Sequence, residues 1–207
     1  SDKKIDKLVF VSTCSNYGII NDNEKADENF NLKPLSSYAK HKVEIEKYIL
    51  SLKGKVGYSP TILRFATAFG LSPRMRFDLT VNHFTKELTE KKILNIYDAD
   101  TWRPYCHVND FARLIEVVLN NKKNKTAFEI FNAGSDKNNY TKKNIIDEIV
   151  KILPDSKITY NNEGVDKRNY RVDFSKVKKI LNFEVQHTVP DVIKEIHKAI
   201  NSNLFNK

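Results

Sequence analysis

The sequence predicts an α/β fold built on a parallel sheet, and three observations support this prediction. Short apolar runs rich in β-branched residues recur along the chain, as the buried strands of parallel sheets require. Segments with helical spacing alternate with these runs, which is the order expected when crossover helices join parallel strands. The 207 residues, of which 40% are hydrophobic and 29% charged, are enough to bury a core.

Five segments have the length and composition of strands. The clearest is KLVFVST at 7–13, which is apolar and β-branched and ends in two hydroxyl side chains. The other four are similarly short: YSPTILRFA at 58–66, ILNIY at 93–97, AFEIFNAG at 127–134 and SKITY at 156–160. Residues 17–35 follow the first strand, and their polar, turn-rich composition predicts a loop.

Six segments are predicted to be helices. In the first, Ser36 or Ser37 can cap the N-terminus, and Gly54 follows the last apolar turn. In the third, Asn109 or Asp110 is the expected cap. The six helices are 36–54, 77–92, 108–121, 141–153 beginning at Thr141, 174–183, and 189–202 with Pro190 in its first turn.

Charge and cysteine content exclude several classes of protein. The net charge of +9 comes from lysines scattered among acids, and the densest basic run, NNKKNKT at 120–126, lacks the interleaved aromatic residues of a nucleic-acid surface. No run of about 18 apolar residues is present, so no membrane span is expected. Together with the scattered lysines, this means that neither a membrane nor nucleic acid is the expected partner. Cys14 and Cys106 are not spaced for a metal, and the histidines do not cluster with acids. A cytoplasmic protein with reduced thiols and no metal is therefore expected.

The segment LSSYAKHK at 35–42 contains the first candidate for chemistry. Tyr38 and Lys42 stand four residues apart and share one face of the predicted helix. A tyrosine of ordinary pKa, about 10, is a poor base near neutral pH, but an adjacent ammonium lowers that pKa. The pair can then remove a proton from a sugar hydroxyl while a hydride leaves the same carbon. Chance alone, however, predicts about one such spacing in a chain so rich in tyrosine and lysine, so the pair needs support from other motifs.

That support comes from the order of further motifs along the chain. The first strand ends in STCSNYG at 12–18, and Tyr38 follows Thr13 by 25 residues. In this order the sequence resembles the nucleotide-sugar epimerase and dehydratase branch of the extended short-chain dehydrogenase/reductase superfamily. Further matching pieces follow in family order: LRFATAFG at 63–70, SPRMRFDLTVNHF at 72–84, WRPYCHVNDFARLI at 102–115, FEIFNAG at 128–134 and RNYRVDFSKVKKILNF at 168–183.

The resemblance implies a two-part architecture: the C-terminal part of a Rossmann-like parallel sheet plus a smaller α/β substrate-binding domain. Residues 1–75 with 104–134 would form the partial Rossmann-like domain that carries the Tyr-x-x-x-Lys site. Residues 76–103 with 135–207 would form the nucleotide-sugar-binding domain. Members of this family are often dimers through a helix bundle that would include the 36–54 helix, so a homodimer is expected for the full-length form.

The resemblance also implies roles for individual residues. Tyr38 would act as general base and acid, Lys42 would hold the nicotinamide ribose, and Thr13 would hydrogen-bond the reacting sugar hydroxyl. The implied cofactor is NAD, with NADP as an alternative; besides Tyr38 and Lys42, Phe65 and Ala66 would contact it. The substrate would be a nucleotide-diphosphate sugar, contacted by Thr13, Thr67, Asp78, Leu79, Asn95, Tyr97, Arg103 and Arg168.

Some of these positions match the family pattern better than others. Arg103 matches the arginine that pairs with the diphosphate, a contact that suits a guanidinium. Thr67 stands where the family often has asparagine. Asp78 places an acid where a helix N-terminus meets the diphosphate, and it also fits a helix cap.

The residues after Thr13 distinguish among the reactions of the family. The dehydratases usually carry Asp-Glu there, whereas this sequence has Cys14 and Ser15. The expected reaction is therefore 4-epimerisation: reversible oxidation at the sugar C4 by NAD, with the hydride returned to the opposite face. An NAD(P)-dependent 4-keto reductase or a dehydratase stays an alternative.

One feature of the family is absent from these 207 residues. No three of the six glycines form G-x-x-G-x-x-G or G-x-G-x-x-G, the loop that lets the backbone approach a cofactor pyrophosphate. Three interpretations stay open. The chain is expected to be an N-terminally truncated epimerase that is inactive alone, one half of a split enzyme, or a cofactor-free module that binds a sugar nucleotide or RNA.

Overall fold

The computed structural model describes residues 5–21, 23–161, 164, 166 and 168–205. The strands in these ranges are β1 Lys7–Thr13, β2 Ser59–Phe65, β3 Thr67–Phe69, β4 Ile93–Tyr97, β5 Trp102–His107, β6 Glu129–Ala133, β7 Asn139–Thr141 and β8 Lys157–Asn161. The α-helices are α1 Ser37–Ser51, α2 Thr80–Glu90, α3 Val108–Asn120, α4 Lys123–Thr126, α5 Lys142–Val150, α6 Ser175–Leu181 and α7 Val189–Asn201. Short 3-10 helices occupy Cys14–Tyr17 and Asp136–Asn138.

A parallel sheet with the strand order β1-β2-β6 positions the candidate site. Its strands are in register so that Thr13, Phe65 and Ala133 lie side by side at the carboxyl edge. Helix α1 connects β1 to β2, as a parallel pair requires, and both α1 and α3 pack against β1. The side chains of Ile62 and Leu63 on β2 are fully buried, as expected for a strand that is covered on both faces. The α/β fold predicted from the alternation of strands and helices is confirmed.

The remaining strands form two smaller sheets. In one, β3 pairs with β5 in parallel and β5 pairs with β7 antiparallel; in the other, β4 and β8 are parallel. Helices α2, α5 and α7 pack together in a second core, which includes Leu88, Ile145 and Ile196. The first core contains Leu63 of β2 and also side chains from 170–183. The assignment of residue ranges to two domains stays a prediction.

The predicted starts of α1 and α5 are confirmed. The Ser36 hydroxyl caps α1 by accepting a hydrogen bond from the Ala39 N–H at 3.2 Å. Thr141 and Asn144 form a reciprocal capping box at the start of α5. Pro190 lies in the first turn of α7 as predicted.

Helix α3 starts differently from the prediction. Neither Asn109 nor Asp110 caps it, because His107 Nδ1 accepts the hydrogen bond from the Asn109 N–H at 3.1 Å. Asp110 is instead fully buried and accepts from the backbone N–H groups of Gln186 and His187 at 3.0 and 3.1 Å. The local pattern does not reveal this, because the partners of Asp110 come from a distant part of the chain.

Three strands are not predicted by the sequence pattern: β3, β5 and β7. β3 and β7 are only three residues long, and β5 contains Pro104, which removes a donor from the ladder. Each of them becomes a strand only because a partner lies beside it. Cys14 and Cys106 are free and buried. None of the helices in the described ranges is long and apolar enough to cross a membrane.

Candidate active site

A cavity of about 850 Å³ lies at the carboxyl ends of β1 and β2. This edge of an open parallel sheet is where ligands bind in α/β proteins. The lining of the cavity brings together nine of the twelve predicted site residues: Thr13, Tyr38, Phe65, Ala66, Thr67, Asp78, Leu79, Arg103 and Arg168. Lys42, Asn95 and Tyr97 lie outside this lining. The cavity thus joins residues from widely separated parts of the sequence, although the roles assigned to them stay predictions.

Thr13 presents its hydroxyl at the last position of β1. Its Oγ1 accepts a hydrogen bond from the Ser15 N–H at 3.1 Å, which caps the short 3-10 helix that follows. This bond fixes the side chain and uses one lone pair of the oxygen, while the hydroxyl proton can still be donated. The residue is 8% exposed, so a ligand in the cavity would meet a preoriented hydroxyl.

Tyr38 and Lys42 stand on successive turns of α1 but face different surroundings. Tyr38, in the first turn, is 57% exposed and lies on the cavity wall. Lys42 Nζ donates to the Val11 carbonyl of β1 at 2.7 Å and lies 5.7 Å from the centroid of the Tyr38 ring. It also lies 4.7 Å from the centroid of the Phe10 ring, a cation–π distance. The lysine therefore connects α1 to β1, two residues before Thr13.

Part of the cavity lining is apolar and includes Phe65, Ala66 and Phe111. The Phe65 ring stacks on the Phe111 ring of α3, with the centroids 3.8 Å apart and the planes 11° from parallel. Ala66, at the end of β2, is 6% exposed, and its N–H donates to the Ala133 carbonyl at 3.1 Å. A flat ring can lie against this wall beside Tyr38.

A cluster of cations lines another part of the cavity; the cationic cluster here means Arg103, Lys142 and Arg168. Arg103 is 6% exposed, and its Nη2 lies 3.1 Å from Asp166 Oδ2 at an angle that makes no hydrogen bond. Arg168 binds the same carboxylate through two bonds of 2.7 Å, from Nε to Oδ1 and from Nη2 to Oδ2. One carboxylate thus occupies the space between two guanidinium groups, as an anionic ligand would.

The pKa values of Asp166 and Lys142 reflect burial and the positive charge that is concentrated in this part of the cavity. Burial tends to raise the pKa of the Asp166 carboxyl, but hydrogen bonds from Arg168 and the charge of Arg103 hold that pKa well below its usual range. Burial lowers the pKa of Lys142, and the nearby Arg103 charge lowers it further. The cationic cluster is therefore electrostatically suited to a ligand with negative charge, such as a diphosphate.

Arg76 and Asp78 form a separate pair at the rim of the cavity. Arg76 donates to the two carboxylate oxygens of Asp78 at 3.0 and 2.5 Å, and both side chains are more than half exposed. Asp78 does not cap α2, because the cap position is Leu79 and no side chain bonds the helix N-terminus there. Its negative charge is thus balanced by a neighbour before any ligand arrives.

Asn95 and Tyr97 lie away from the cavity on one face of β4. In the β4–β8 pair, Asn95 is opposite Thr159 and Tyr97 is opposite Asn161. Tyr97 is 50% exposed, so it is not a packed core residue. Neither residue lines the cavity, and their role in packing the nucleotide base stays a prediction.

Several cavity residues escape sequence reasoning. Arg76, Lys142, Asp166 and Tyr170 line the cavity, and Tyr170 bonds the Ser15 hydroxyl at 3.2 Å. Asp166 stands two residues before Arg168, so the sequence suggests an ion pair between them. It does not indicate that this pair lies in the cavity. Lys142 has no signal at all, because it looks like any lysine in the first turn of a helix.

The residues present fit the nicotinamide end of NAD better than its pyrophosphate. Tyr38, Phe65 and Ala66 form a wall against which a nicotinamide ring can lie, and the ammonium of Lys42 is one helical turn from Tyr38. No glycine-rich pyrophosphate loop is present in the 207 residues. That Tyr38 and Lys42 would hold the nicotinamide ribose stays a prediction.

Comparison with known proteins gives a family match over most of the chain. The model of the NAD dependent epimerase/dehydratase family matches residues 1–134. A UDP-glucuronate 4-epimerase from Thermodesulfobacterium geofontis is 29% identical over 201 residues, which are 93% of this chain and 58% of that protein. An uncharacterized UDP-glucose epimerase from Bacillus subtilis is 34% identical over 119 residues, which are 57% of this chain and 36% of that protein. The chain thus spans well under two thirds of the length of these curated relatives.

Solved structures give a matching result. The UDP-glucuronic acid 4-epimerase of Bacillus cereus, in complex with UDP-glucuronic acid and NAD, superposes with a TM-score of 0.83 at 26% identity and covers 98% of this chain and 63% of its own. The dTDP-glucose 4,6-dehydratase of Bacillus anthracis, in complex with NAD, gives a TM-score of 0.81 at 26% identity, with coverage of 95% and 62%. Epimerase and dehydratase backbones match almost equally well, so the backbone alone does not separate the two reactions.

Proposed function

The chain belongs to the NAD-dependent epimerase/dehydratase family, and from this premise we propose that it acts on a nucleotide-diphosphate sugar as a 4-epimerase. The observation that carries the proposal is the joint position of Thr13 and Tyr38 on the wall of one cavity, with the cationic cluster on another part of that wall. The first two residues suit a sugar hydroxyl. The cations suit a diphosphate.

In the proposed reaction, the chain's own residues move one proton and hold the sugar. Thr13 hydrogen-bonds the C4 hydroxyl, and Tyr38 accepts the proton of that hydroxyl as the C4 carbon is oxidised to a ketone. Tyr38 returns the proton when the hydroxyl forms again in the opposite configuration. Bound NAD supplies the acceptor and the donor of the hydride. Atoms and charge therefore balance over the whole cycle, and the enzyme ends unchanged.

Residues beside Thr13 favour epimerisation over dehydration. Loss of water across C5 and C6 needs an acid and a base near the sugar, whereas Cys14 is buried and burial raises the pKa of its thiol beyond useful range. Ser15 is occupied by hydrogen bonds with Tyr170 and Arg168. A 4-keto reductase uses the same Thr13 and Tyr38, and it is distinguished by needing NADH or NADPH as a substrate.

UDP-glucuronate is the first substrate to test. The relatives from Thermodesulfobacterium geofontis and Bacillus cereus bear the name of that substrate.

The test of the proposal is conversion of UDP-glucuronate to its C4 epimer, followed by NMR of the sugar. Because the 207 residues are expected to be inactive alone, the assay with added NAD is run on them and on the same residues joined to a glycine-rich pyrophosphate-binding segment. UDP-glucose under the same conditions tests the choice of sugar. Release of a 4,6-dehydrated product would contradict the epimerase assignment. Conversion of a 4-keto sugar only in the presence of NADH or NADPH would favour the reductase.

A second candidate function is binding of a sugar nucleotide without catalysis by this chain alone. The observation that favours it is the absence of a G-x-x-G-x-x-G segment from the 207 residues. Calorimetry with UDP-glucuronate and with NAD distinguishes the candidates. Binding of the sugar nucleotide without measurable binding of NAD supports the second candidate, whereas micromolar NAD binding supports the first.

A homodimer is part of the proposal. Helix α1 leaves Ile45 and Tyr48 exposed at 41% and 64%, which is apolar surface suited to a second copy. Light scattering of the chain and of an Ile45→Glu variant measures this directly. A wild-type monomer at concentrations well above micromolar would contradict the dimer.

A further inference from the structure

A buried polar network lies directly behind the Tyr38 wall of the candidate site. Tyr38, Lys42 and Glu46 follow one another at intervals of four on α1, so they lie on one helical face. Tyr38 is exposed to the cavity, but Glu46, two turns further, is only 2% exposed. A carboxylate at such a depth requires partners for its oxygens.

Glu46 has partners from three different parts of the fold. Its Oε1 accepts a hydrogen bond from the hydroxyl of Ser12, the residue that precedes Thr13 on β1. The same oxygen accepts from Asn16 Nδ2 at 2.9 Å. Its Oε2 accepts from Arg64 Nη2 at 2.7 Å, and Arg64 Nε lies 3.2 Å from both oxygens. Helix α1 is therefore bonded through one side chain to β1, to the turn after β1 and to β2.

Arg64 is itself fixed by neighbours on its other side. It is 3% exposed, and its Nη1 donates to the Tyr17 hydroxyl at 3.0 Å and to the Glu28 carbonyl at 3.2 Å. The Tyr17 hydroxyl in turn donates to Asn132 Oδ1 of β6 at 2.6 Å. The guanidinium thus has little freedom, and the carboxylate bound to it is held in one place.

Stability alone does not account for this arrangement. A buried ion pair gains little net stability, because the loss of hydration offsets the attraction, and well-packed apolar side chains can replace such a pair. Apolar contacts are, however, not directional, whereas a carboxylate bound by three side chains resists both rotation and sliding of the helix. Few other buried side chains restrain α1 near its start, because Ala39 and Val43 offer small surfaces.

We propose that Glu46 and Arg64 are positioning residues, which set the location of Tyr38 and Lys42 relative to Thr13. The hydrogen bond that the Ser12 hydroxyl donates to Glu46 connects the helix that carries Tyr38 to the residue next to Thr13. A shift of α1 along β1 would have to break this bond before Tyr38 could move away from the sugar hydroxyl beside Thr13. The inference rests on the proposed function for its purpose, but its geometry concerns this chain alone.

The test is ¹⁹F NMR of protein labelled with 3-fluorotyrosine, which needs neither cofactor nor sugar. A Tyr38→Phe sample assigns the Tyr38 signal. The test variant is the apolar double substitution Glu46→Leu with Arg64→Met, which removes the network and keeps the volume filled. We expect this variant to fold, and its Tyr38 signal to move or broaden by more than a line width, with Glu46→Gln nearer to wild type because it still accepts from Ser12.

The matched control is Asp110→Asn. Asp110 is a buried carboxylate with an arginine partner, as Glu46 is, but it lies on α3 and has no contact with α1 through these bonds. We expect this control to lose stability and to leave the Tyr38 signal in place. If the control moves Tyr38 as much as the double variant does, or if the double variant leaves the signal unchanged, Glu46 and Arg64 are structural residues only and the inference is wrong. If the double variant does not fold, Ser12→Ala decides in its place, because it removes the hydrogen bond that Ser12 donates to Glu46: a Tyr38 signal identical in position and width to wild type would also overturn the inference.

A kinetic measurement separates this inference from the proposed function. Where the wild-type chain turns over UDP-glucuronate, the double variant should lose about 10- to 100-fold in kcat, with the Kd for UDP changed by less than about twofold. Equal losses in kcat and in UDP affinity would contradict positioning of Tyr38. Absence of any wild-type turnover is the result expected of a chain that is inactive alone, and the NMR result would then decide the inference by itself.

Discussion

Substitution of Arg103 by glutamine is the sharpest test of the cationic cluster. Arg103 is almost fully buried, and its Nη2 points toward Asp166 without forming a hydrogen bond to the described residues. A diphosphate in the cavity can accept a charge-assisted bond from this nitrogen. Glutamine is shorter than arginine and loses the bonds that Arg103 Nη1 donates to the carbonyls of Trp102 and Arg168, so circular dichroism must first show that the variant is folded.

The magnitude follows from the type of bond that is lost. A hydrogen bond to a charged group contributes about 1.5–3 kcal/mol. Since about 1.4 kcal/mol corresponds to a tenfold change in affinity, the Kd for UDP should rise by about 10- to 150-fold. Arg103→Lys keeps the charge but not the planar fork, so its loss should be smaller.

The assay is isothermal titration calorimetry of UDP into each folded variant. Arg76→Gln is the matched control, because Arg76 lines the same cavity but is 60% exposed and already paired with Asp78. It should change the Kd by less than about twofold. Wild-type affinity in Arg103→Gln, or an equal loss in both variants, would refute the assignment of Arg103 to the diphosphate. No binding of UDP by the wild-type chain would refute the proposed function itself.

Three further predictions concern Tyr38, Asp166 and His107. Tyr38→Phe should lower turnover of the sugar nucleotide by about 10²- to 10⁴-fold and leave the Kd for UDP nearly unchanged; normal turnover would show that Tyr38 is not the base. Asp166→Asn should bind UDP about two- to fivefold more tightly and uridine no better, because it removes a carboxylate that competes for Arg103 and Arg168; calorimetry that finds weaker UDP binding would contradict this competition. Burial, and next the charge of His187, lower the pKa of His107 to about 4, so the unfolded chain takes up this proton at a higher pH than the native protein does. Stability should therefore fall by on the order of 3 kcal/mol as the pH drops from about 6.5 to 4, and urea unfolding of wild type and His107→Gln should show that the substitution removes this loss.

Local patterns predict the major elements well because they depend on neighbours in the sequence. The strands at 7–13 and 93–97 match the observed strands at both ends, since their β-branched and aromatic residues favour an extended backbone. Ser36 and Thr141 predict helix starts because a hydroxyl cap acts on an N–H only three residues away. Strand β5 is missed because its ladder depends on partners from distant segments.

The residues of the candidate site also fall into those that the sequence predicts and those that it does not. A motif in the sequence is sufficient to propose Thr13, Tyr38 and Arg103, because their spacing matches that of a known family. The sequence does not place Asp166 between two arginines, since that contact depends on how the chain folds back on itself. It also gives no reason to single out Glu46, which looks like any charged residue on an amphipathic helix.

The sequence by itself determined the α/β alternation, the helix starts at Ser36 and Thr141, and the resemblance that singled out Tyr38. These features depend on short-range bonds and on the period of the apolar residues. Only the tertiary structure decided that Glu46 is buried against Ser12 and Arg64, and that Lys42 bonds the Val11 carbonyl. Burial and pairing depend on which side chains meet across elements, and the spacing of residues along one helix does not contain that information.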